Sequence, residues 1–238
     1  MNENLIKDLK HVNIINIGII GLGYIGSGVL KLIESQKDYM AKKTGKFINI
    51  KRVVDKDIVK KAAKFEPMLG NEIIFSNNAY DVINDTEIDI VVELIGGIDP
   101  AYTYVIDSLK KGKYVVTANK DMIANKGESL FNAAAENNVD ILFEASVGGG
   151  IPIIGPMKSS LAANNISKII GIVNGTTNYI LTRMQKENLD FEKALNIAQE
   201  LGYAEKVNPS ADIEGNDAAC KLAILSSIAF NSRVIFKE

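Results

Sequence analysis

The stretch "GIIGLGYIGSG", Gly18 to Gly28, gives the strongest indication of the fold. Gly21, Gly23 and Gly26 have the spacing G-x-G-x-x-G, directly after the isoleucine-rich run Ile14 to Ile20 and at the start of an amphipathic segment. At such a strand-to-helix turn, glycine backbone lets a pyrophosphate approach, and the N–H groups of the helix bind it. The motif therefore favours a dinucleotide-binding unit over the alternative, a glycine-rich turn that serves tight packing alone.

Runs rich in isoleucine and valine recur through the first half of the chain and alternate with amphipathic segments. Near-continuous apolar residues, rather than strict alternation, are typical of parallel strands buried on both faces. The predicted strands are Ile14 to Ile20, Ile48 to Val54, Ile88 to Ile95, Lys113 to Ala118 and Asp140 to Ala145, and the predicted helices are Tyr24 to Gln36, Asp99 to Gly112 and Asp121 to Asn138. This order predicts an α/β fold with a Rossmann-type, doubly wound parallel sheet over residues 1–145.

Composition narrows the class of protein. The chain has 238 residues, 47% of them hydrophobic, and a net charge of −2, which is typical of a globular protein. Glycines interrupt the longest apolar run, so we expect neither a membrane span nor export. One cysteine fits a reducing compartment and hence a cytoplasmic location, and scattered basic residues argue against nucleic acid as a partner.

The only histidine, His11, precedes the first predicted strand. Ser-His-Asp triads, Cys-His pairs and HExxH zinc sites all need a histidine within the folded site, so the sequence argues against each of them. A catalytic acid or base must then be a lysine, aspartate, glutamate or tyrosine.

The sequence gives a weaker indication of the residues that would bind the ribose of the coenzyme. Asp55 ends the second predicted strand, farther from Gly26 than the usual spacing of about 20 residues. A carboxylate there favours NAD through the ribose hydroxyls, whereas Lys56 and Arg52 favour the extra phosphate of NADP. A turn aspartate in a solvated charge cluster is an equally good interpretation. The junctions "ELIGGIDP", Glu93 to Pro100, and "TANKDMIA", Thr117 to Ala124, follow later strands at the edge where open α/β sheets bind ligands.

The sequence changes in character from Glu144 onward. "EASVGGGIPIIGP", Glu144 to Pro156, predicts a turn out of the first domain, either a plain hinge or a cation site with oxygen ligands. "KIIGIVNGTTNYILTRM", Lys168 to Met184, predicts a strand that runs into a helix, with Asn174 near the helix start. A second amphipathic helix follows, and Asp190 is its predicted N-cap.

A further helix contains "DIEGNDAACKLAI", Asp212 to Ile224. Asp217 and Lys221 are four residues apart, so they share one helix face and can pair. A carboxylate neighbour favours the charged form of lysine, which suits donation of a proton to a reduced carbonyl oxygen. The alternative is an ordinary ion pair on a solvated face, although the surrounding helix is largely apolar.

Seven motifs together resemble the homoserine dehydrogenase family. They are "GLGYIGSG", "VVELIGG", "VTANK", "GGGIPII", "NGTTNYILTRM", "AQELGYAE" and "GNDAACKLAIL", in the family's order from about Ile17 to Phe230. The resemblance implies an NAD(P)-binding domain followed, over residues 146–238, by part of an α+β substrate domain that also forms a homodimer. It implies the reversible reduction of aspartate 4-semialdehyde to homoserine, with NADP or NAD, in threonine, methionine and isoleucine biosynthesis.

The resemblance also implies roles for individual residues. The catalytic lysines fall on Lys120 and Lys221, with Asp217 as the acid that positions lysine. The implied substrate contacts are Glu205, Asp212, Thr176 and Tyr203, and the implied Na⁺ or K⁺ ligands are Glu144, Val147, Gly149 and Ile151. The implied coenzyme contacts are Gly21, Gly23, Tyr24, Ile25, Gly26, Asp55, Gly96, Thr117, Asn119 and Lys120.

The chain also departs from the family pattern. The loop "AEKVNPSADIEG" is one residue longer than usual, and family members continue beyond the position of Glu238. We therefore expect a truncated chain without an ACT-like or kinase domain, and a fragment that binds coenzyme without turnover is the alternative function. A semialdehyde or glyceraldehyde-phosphate type dehydrogenase would need a thiolate with a histidine base, and Cys220 has no such partner.

Overall fold

The computed structural model of the protein describes residues 13–69, 73–204 and 210–236. The chain forms two compact units. The first contains the described residues through Asn119 together with Glu128–Leu142, and the second contains Lys120–Gly127 and the described residues from Phe143 onward. Within the described ranges, no helix is both long and apolar enough to cross a membrane.

A six-stranded parallel sheet forms the centre of the first unit. Its strands are β1 (Asn13–Ile20), β2 (Lys46–Val54), β3 (Ile74–Ser76), β4 (Ile90–Glu93), β5 (Tyr114–Thr117) and β6 (Ile141–Leu142). The spatial order is β3-β2-β1-β4-β5-β6, which confirms the predicted doubly wound topology. The strand order reverses between β1 and β4, so the carboxyl ends of these two strands flank the usual ligand crevice.

Helices connect successive strands of this sheet. They are α1 (Tyr24–Thr44), α2 (Ile58–Leu69), α3 (Tyr80–Ile83), α4 (Ala101–Lys110) and α5 (Lys120–Glu136). Helix α1 continues well beyond the predicted end at Gln36, because good helix formers follow until Gly45 adopts a left-handed conformation and caps it. The first residues of α5 belong to the second unit.

One core cluster of the first unit lies where β1 and β2 meet α1. Ile19, Leu30 and Val53 are fully buried there, and Leu22 from the glycine-rich turn joins them. Burial of each such side chain stabilises the fold by about 1.5–3 kcal/mol. The turn is thus held in place by one of its own residues.

The second unit is mainly helical in its described part. Its helices are α6 (Ile154–Lys158), α7 (Gly175–Glu187), α8 (Phe191–Glu200), α9 (Ser210–Ile213) and α10 (Asn216–Ala229). Asn174 caps α7 and Asp190 caps α8, each by accepting a hydrogen bond from a backbone N–H three residues later, which confirms the predicted N-cap at Asp190. A small core of Ile180, Ala194, Ala198 and Ala204 joins α7 to α8.

The strand predicted at the start of Lys168 to Met184 is wrong, since residues 165–174 have no regular secondary structure. Ile170 and Ile172 are 80% and 76% exposed. A strand needs a hydrogen-bonded neighbour as well as β-forming residues, and the sequence pattern reports only the second condition.

Candidate active site

Two glycines of the turn after β1 are required by the packing of the chain itself. Gly21 has φ +106°, and a Cβ there would lie 2.7 Å from the backbone of Leu94. A Cβ on Gly26 would lie 1.9 Å from the carbonyl oxygen of Gly21. Both positions therefore exclude any larger residue, whether or not a ligand binds.

Gly23 differs from its two neighbours in the motif. It is the N-cap of α1 with φ −78°, and a Cβ there would meet nothing within 4 Å. Helix α1 has no side-chain cap and no acidic residue in its first turn, and Tyr24 beside it is 97% exposed. Free space next to uncapped, electropositive helix N–H groups fits a pyrophosphate.

Asp55 anchors the glycine-rich turn from the end of β2. One carboxylate oxygen accepts hydrogen bonds from Leu22 N and Lys61 Nζ, both at 2.7 Å, and the other accepts from Asp57 N at 2.9 Å. Burial alone would raise the pKa of Asp55, but these donors lower it. The structure thus gives Asp55 a structural task, and its contact with ribose stays a prediction.

A groove of about 380 Å³ runs along this edge of the sheet. Its lining includes Gly21, Gly23, Asp55, Lys56, Lys61, Ile95, Gly96, Pro100 and Tyr104. Arg52, the other predicted phosphate ligand, instead donates to Asp85 at 2.7 Å. Of the two predicted phosphate ligands, Lys56 is therefore the one that lines the groove.

Glu93 links the ends of β4 and β5, a role that none of the sequence motifs predicts. It is fully buried, accepts from Thr117 Oγ1 at 2.6 Å, and accepts from Ile95 N at 2.8 Å. Thr117 Oγ1 accepts from Asn119 N, and the Asn119 amide donates to Gly97 O at 2.6 Å. The signal was an acid within the apolar run "VVELI". These contacts hold the two loops of the sheet edge together.

The second unit brings both predicted catalytic lysines to one carboxylate. Lys221 Nζ lies 2.7 Å from Asp217 Oδ2 and donates to Val173 O at 2.7 Å, which confirms the predicted pairing along α10. Lys120 Nζ lies 3.4 Å from Asp217 Oδ1. Burial alone would raise the pKa of Asp217, but hydrogen bonds from Lys221 and Asn174 and the charges of the two lysines lower it. The result is a carboxylate between two cationic side chains.

Cys220, the adjacent residue, does not have the environment of a nucleophile. Its side chain is 3% exposed, and Sγ lies 3.6 Å from Asp121 Oδ1. Burial and this carboxylate raise the pKa of the Cys220 thiol to about 11. The thiol therefore remains protonated at neutral pH, which argues against the thiolate type of dehydrogenase.

The predicted substrate contacts are partly brought together in the same unit. Asp212 accepts from Asn174 Nδ2 at 2.8 Å, and the same amide group donates to Asp217 at 2.8 Å. Thr176 Oγ1 donates to Tyr203 O at 2.5 Å. Glu205 lies outside the described residues.

Glu144 has a task that does not involve a cation. Its carboxylate accepts from the N–H groups of Ile153, Ile154 and Gly155 at 2.6–2.8 Å, at the start of α6. Burial alone would raise the pKa of Glu144, but these three donors lower it. No group of three or more His, Cys, Asp or Glu side chains suited to a metal occurs among the described residues. The cation site at Glu144, Val147, Gly149 and Ile151 stays a prediction.

Sequence comparison relates both parts of the chain to one family. The family model described as homoserine dehydrogenase, NAD binding domain, matches residues 21–144, and the model described as homoserine dehydrogenase matches residues 152–238. The homoserine dehydrogenase of Bacillus subtilis is 46% identical over 94% of this chain and 51% of its own length. That of Helicobacter pylori is 46% identical over 91% of this chain and 49% of its own length.

Solved structures agree with these relatives. A homoserine dehydrogenase from Thiobacillus denitrificans superposes with a TM-score of 0.86 at 43% identity, over 92% of this chain and 50% of that one. A hyperthermophilic archaeal homoserine dehydrogenase in complex with NADPH has a TM-score of 0.79 at 30% identity, over 92% of this chain and 71% of that one. The chain spans about half the length of the curated relatives named above. On these matches, the chain belongs to the homoserine dehydrogenase family.

Proposed function

We propose that the protein is an NAD(P)-dependent oxidoreductase that reversibly reduces L-aspartate 4-semialdehyde to L-homoserine. The observation that carries this proposal is the pair of lysine ammonium groups that share Asp217, at 2.7 Å for Lys221 and 3.4 Å for Lys120. Family membership and the glycine-rich turn support a nicotinamide dinucleotide as the coenzyme. When bound, the coenzyme supplies the hydride; the side chains of this chain bind the substrate and handle the proton.

Lys221 is the proposed proton donor. Asp217 and Val173 O use two of its three N–H directions within the described part of the chain, which leaves one for a substrate carbonyl oxygen. As that oxygen gains negative charge, an ammonium group stabilises it and then transfers a proton to it. Lys120, at the start of α5, adds a second positive charge beside Asp217.

The remaining polar groups are proposed to bind the amino-acid part of the substrate. Asp212 and Glu205 supply carboxylates for the α-ammonium group, and Thr176 and Tyr203 supply neutral contacts. Asp212 uses one oxygen for Asn174, so its other oxygen is proposed to bind the ammonium group. Glu144, with the backbone of Val147, Gly149 and Ile151, remains the proposed site for Na⁺ or K⁺.

The groove favours NADP over NAD in this proposal. Both oxygens of Asp55 already accept hydrogen bonds from the chain, whereas Lys56 and Lys61 line the same groove. Cationic side chains there suit the additional phosphate of NADP. We further propose a homodimer located in the cytoplasm that serves threonine, methionine and isoleucine biosynthesis, in keeping with the family.

Substitution of Lys221 tests the proposed chemistry. Lys221→Ala is expected to lower kcat by about 100-fold or more, the range of general acid catalysis, with coenzyme affinity unchanged. Turnover is followed as coenzyme absorbance, and affinity as coenzyme fluorescence.

Lys193→Ala is the matched control, because it also removes a lysine paired with an aspartate, at 2.8 Å on an exposed helix face. The control is expected to retain full activity. Full activity in Lys221→Ala would refute the assignment, and coenzyme binding without turnover in the unmodified protein would favour the inactive-fragment alternative.

A further inference from the structure

Asn174 uses every hydrogen-bonding group of its side chain. Its Oδ1 accepts from Thr177 N at 2.8 Å and from Thr177 Oγ1 at 2.9 Å, which caps α7. Its Nδ2 donates to Asp212 Oδ1 and to Asp217 Oδ2, each at 2.8 Å. The side chain is almost completely buried, at 7% exposure. One amide thus links the start of a helix to two carboxylates from different elements.

The neutrality of this amide matters for the two acids. Two carboxylates close together repel each other. An amide gives each acid an N–H donor without adding charge, so it holds the two carboxylates side by side against that repulsion. A lysine or arginine in its place would compete with Lys221 for Asp217, and an aspartate would add a third negative charge.

We propose that Asn174 is a positioning residue of the active site, whose amide holds the carboxylates of Asp212 and Asp217 next to each other. Asp217 then orients Lys221 toward the substrate oxygen, and Asp212 faces the substrate's α-ammonium group. This role rests on the proposed function, because the two acids serve different parts of the same amino-acid substrate. It assigns a task to a residue that does not itself contact the reacting atoms.

Two substitutions separate this role from helix capping. Serine and aspartate are as good N-caps as asparagine, so Asn174→Ser and Asn174→Asp retain the cap but lose the double donor. Asn174→Ser is expected to lower kcat by about 100-fold, the effect of misplacing a catalytic group by about 1 Å, and to raise the KM for aspartate semialdehyde. Asn174→Asp is expected to lose more activity. Coenzyme Kd is expected to stay within about twofold in both.

Asp190→Ser is the matched control, since it changes the N-cap of α8 in the same way without contact to the two acids. We expect wild-type kcat and KM for this variant. Asn174→Ser with kcat and KM within twofold of wild type would overturn the inference, as would an equal loss in Asp190→Ser.

A double-mutant cycle tests the bridge without any need for turnover. Asn174→Ser is expected to lower the thermal unfolding midpoint more when residue 217 is aspartate than in an Asp217→Asn background, because residues in one hydrogen-bonded network are not additive. Additive shifts would contradict the bridge. If the unmodified protein lacked turnover, the proposed function would fail, yet this cycle would still decide whether Asn174 holds the acids.

Discussion

Single residues of the glycine-rich turn have different reasons for being glycine. A Cβ at Gly21 or Gly26 would lie 2.7 Å or 1.9 Å from backbone atoms, so both positions require glycine, whereas a Cβ at Gly23 would meet nothing within 4 Å. The sequence predicts all three from one spacing and cannot separate these reasons, because each depends on which backbone atoms approach. Space at Gly23 that the chain does not fill is what the structure adds in favour of a bound anion.

Gly23→Ala is therefore expected to fold normally and to weaken coenzyme binding by at least about tenfold, a loss of about 1.4 kcal/mol. Gly28→Ala is the control, since its added Cβ also meets nothing within 4 Å but lies within α1 rather than at its start. Coenzyme titration by fluorescence measures both variants, and equal affinities in the two would rule out a pyrophosphate at Gly23.

The two lysines beside Asp217 show which side-chain contacts can be predicted from spacing in the sequence and which cannot. Asp217 and Lys221 are four apart on one helix, so their contact is predictable from the sequence. The contact of Lys120 with Asp217, and the bridge from Asn174 to Asp212 and Asp217, join distant segments that only the folded chain brings together. Local pattern cannot supply such tertiary contacts.

Individual strands, like the side-chain contacts above, are predictable only where a local sequence pattern determines them. Runs rich in isoleucine and valine predict β1 and β2, but no pattern predicts β3, because three residues are too few for a periodic pattern. β-forming residues predict a strand over Lys168 to Val173, yet residues 165–174 have no regular secondary structure. A segment forms a strand only if another strand lies beside it to accept and donate its hydrogen bonds. Whether such a neighbour exists depends on the fold of the whole sheet, which a local sequence pattern does not report.

Helix α6 offers a test of a single carboxylate cap. Glu144→Gln replaces one acceptor oxygen with an amide N–H group that faces the backbone donors, which is expected to cost about 1–3 kcal/mol of unfolding free energy. Urea unfolding measures this loss, with Glu128→Gln, on a different helix, as a comparison. Unchanged stability would show that the cap is dispensable.

The same variant addresses the predicted cation. If Na⁺ or K⁺ binds at Glu144, replacing it with choline is expected to lower the stability of the wild type more than that of Glu144→Gln. Equal responses to the ion exchange would leave Glu144 with the structural role alone.

For the protein as a whole, the ion pairs make the free energy of unfolding sensitive to low pH. Burial alone would raise the pKa of Asp85, but hydrogen bonds from Arg52, Glu87 N and Lys51 lower it from 3.8 to about 2. A depressed pKa means that the stabilisation is present above the unfolded value and is lost as pH falls through the folded value. The pKa values of Asp55, Glu144 and Asp217 are lowered as well, so their contributions are lost in the same direction.

We therefore expect the unfolding free energy to fall steeply as pH decreases from about 4 to about 2. The difference between wild type and Asp85→Asn is expected to shrink over that window, as followed by urea unfolding at each pH. A difference that stays constant down to pH 2 would show that Asp85 is not held ionised by its partners.

The coenzyme groove lies in the first unit and the cluster of lysines and Asp217 lies in the second, and the chain spans about half the length of its curated relatives. The most direct measurement is the absorbance of NADPH and of NADH when the purified protein is mixed with L-aspartate 4-semialdehyde. We predict oxidation of coenzyme that depends on the semialdehyde, faster with NADPH, and conversion of the semialdehyde to L-homoserine. Coenzyme that binds but is not oxidised in the presence of the semialdehyde would contradict the proposed function.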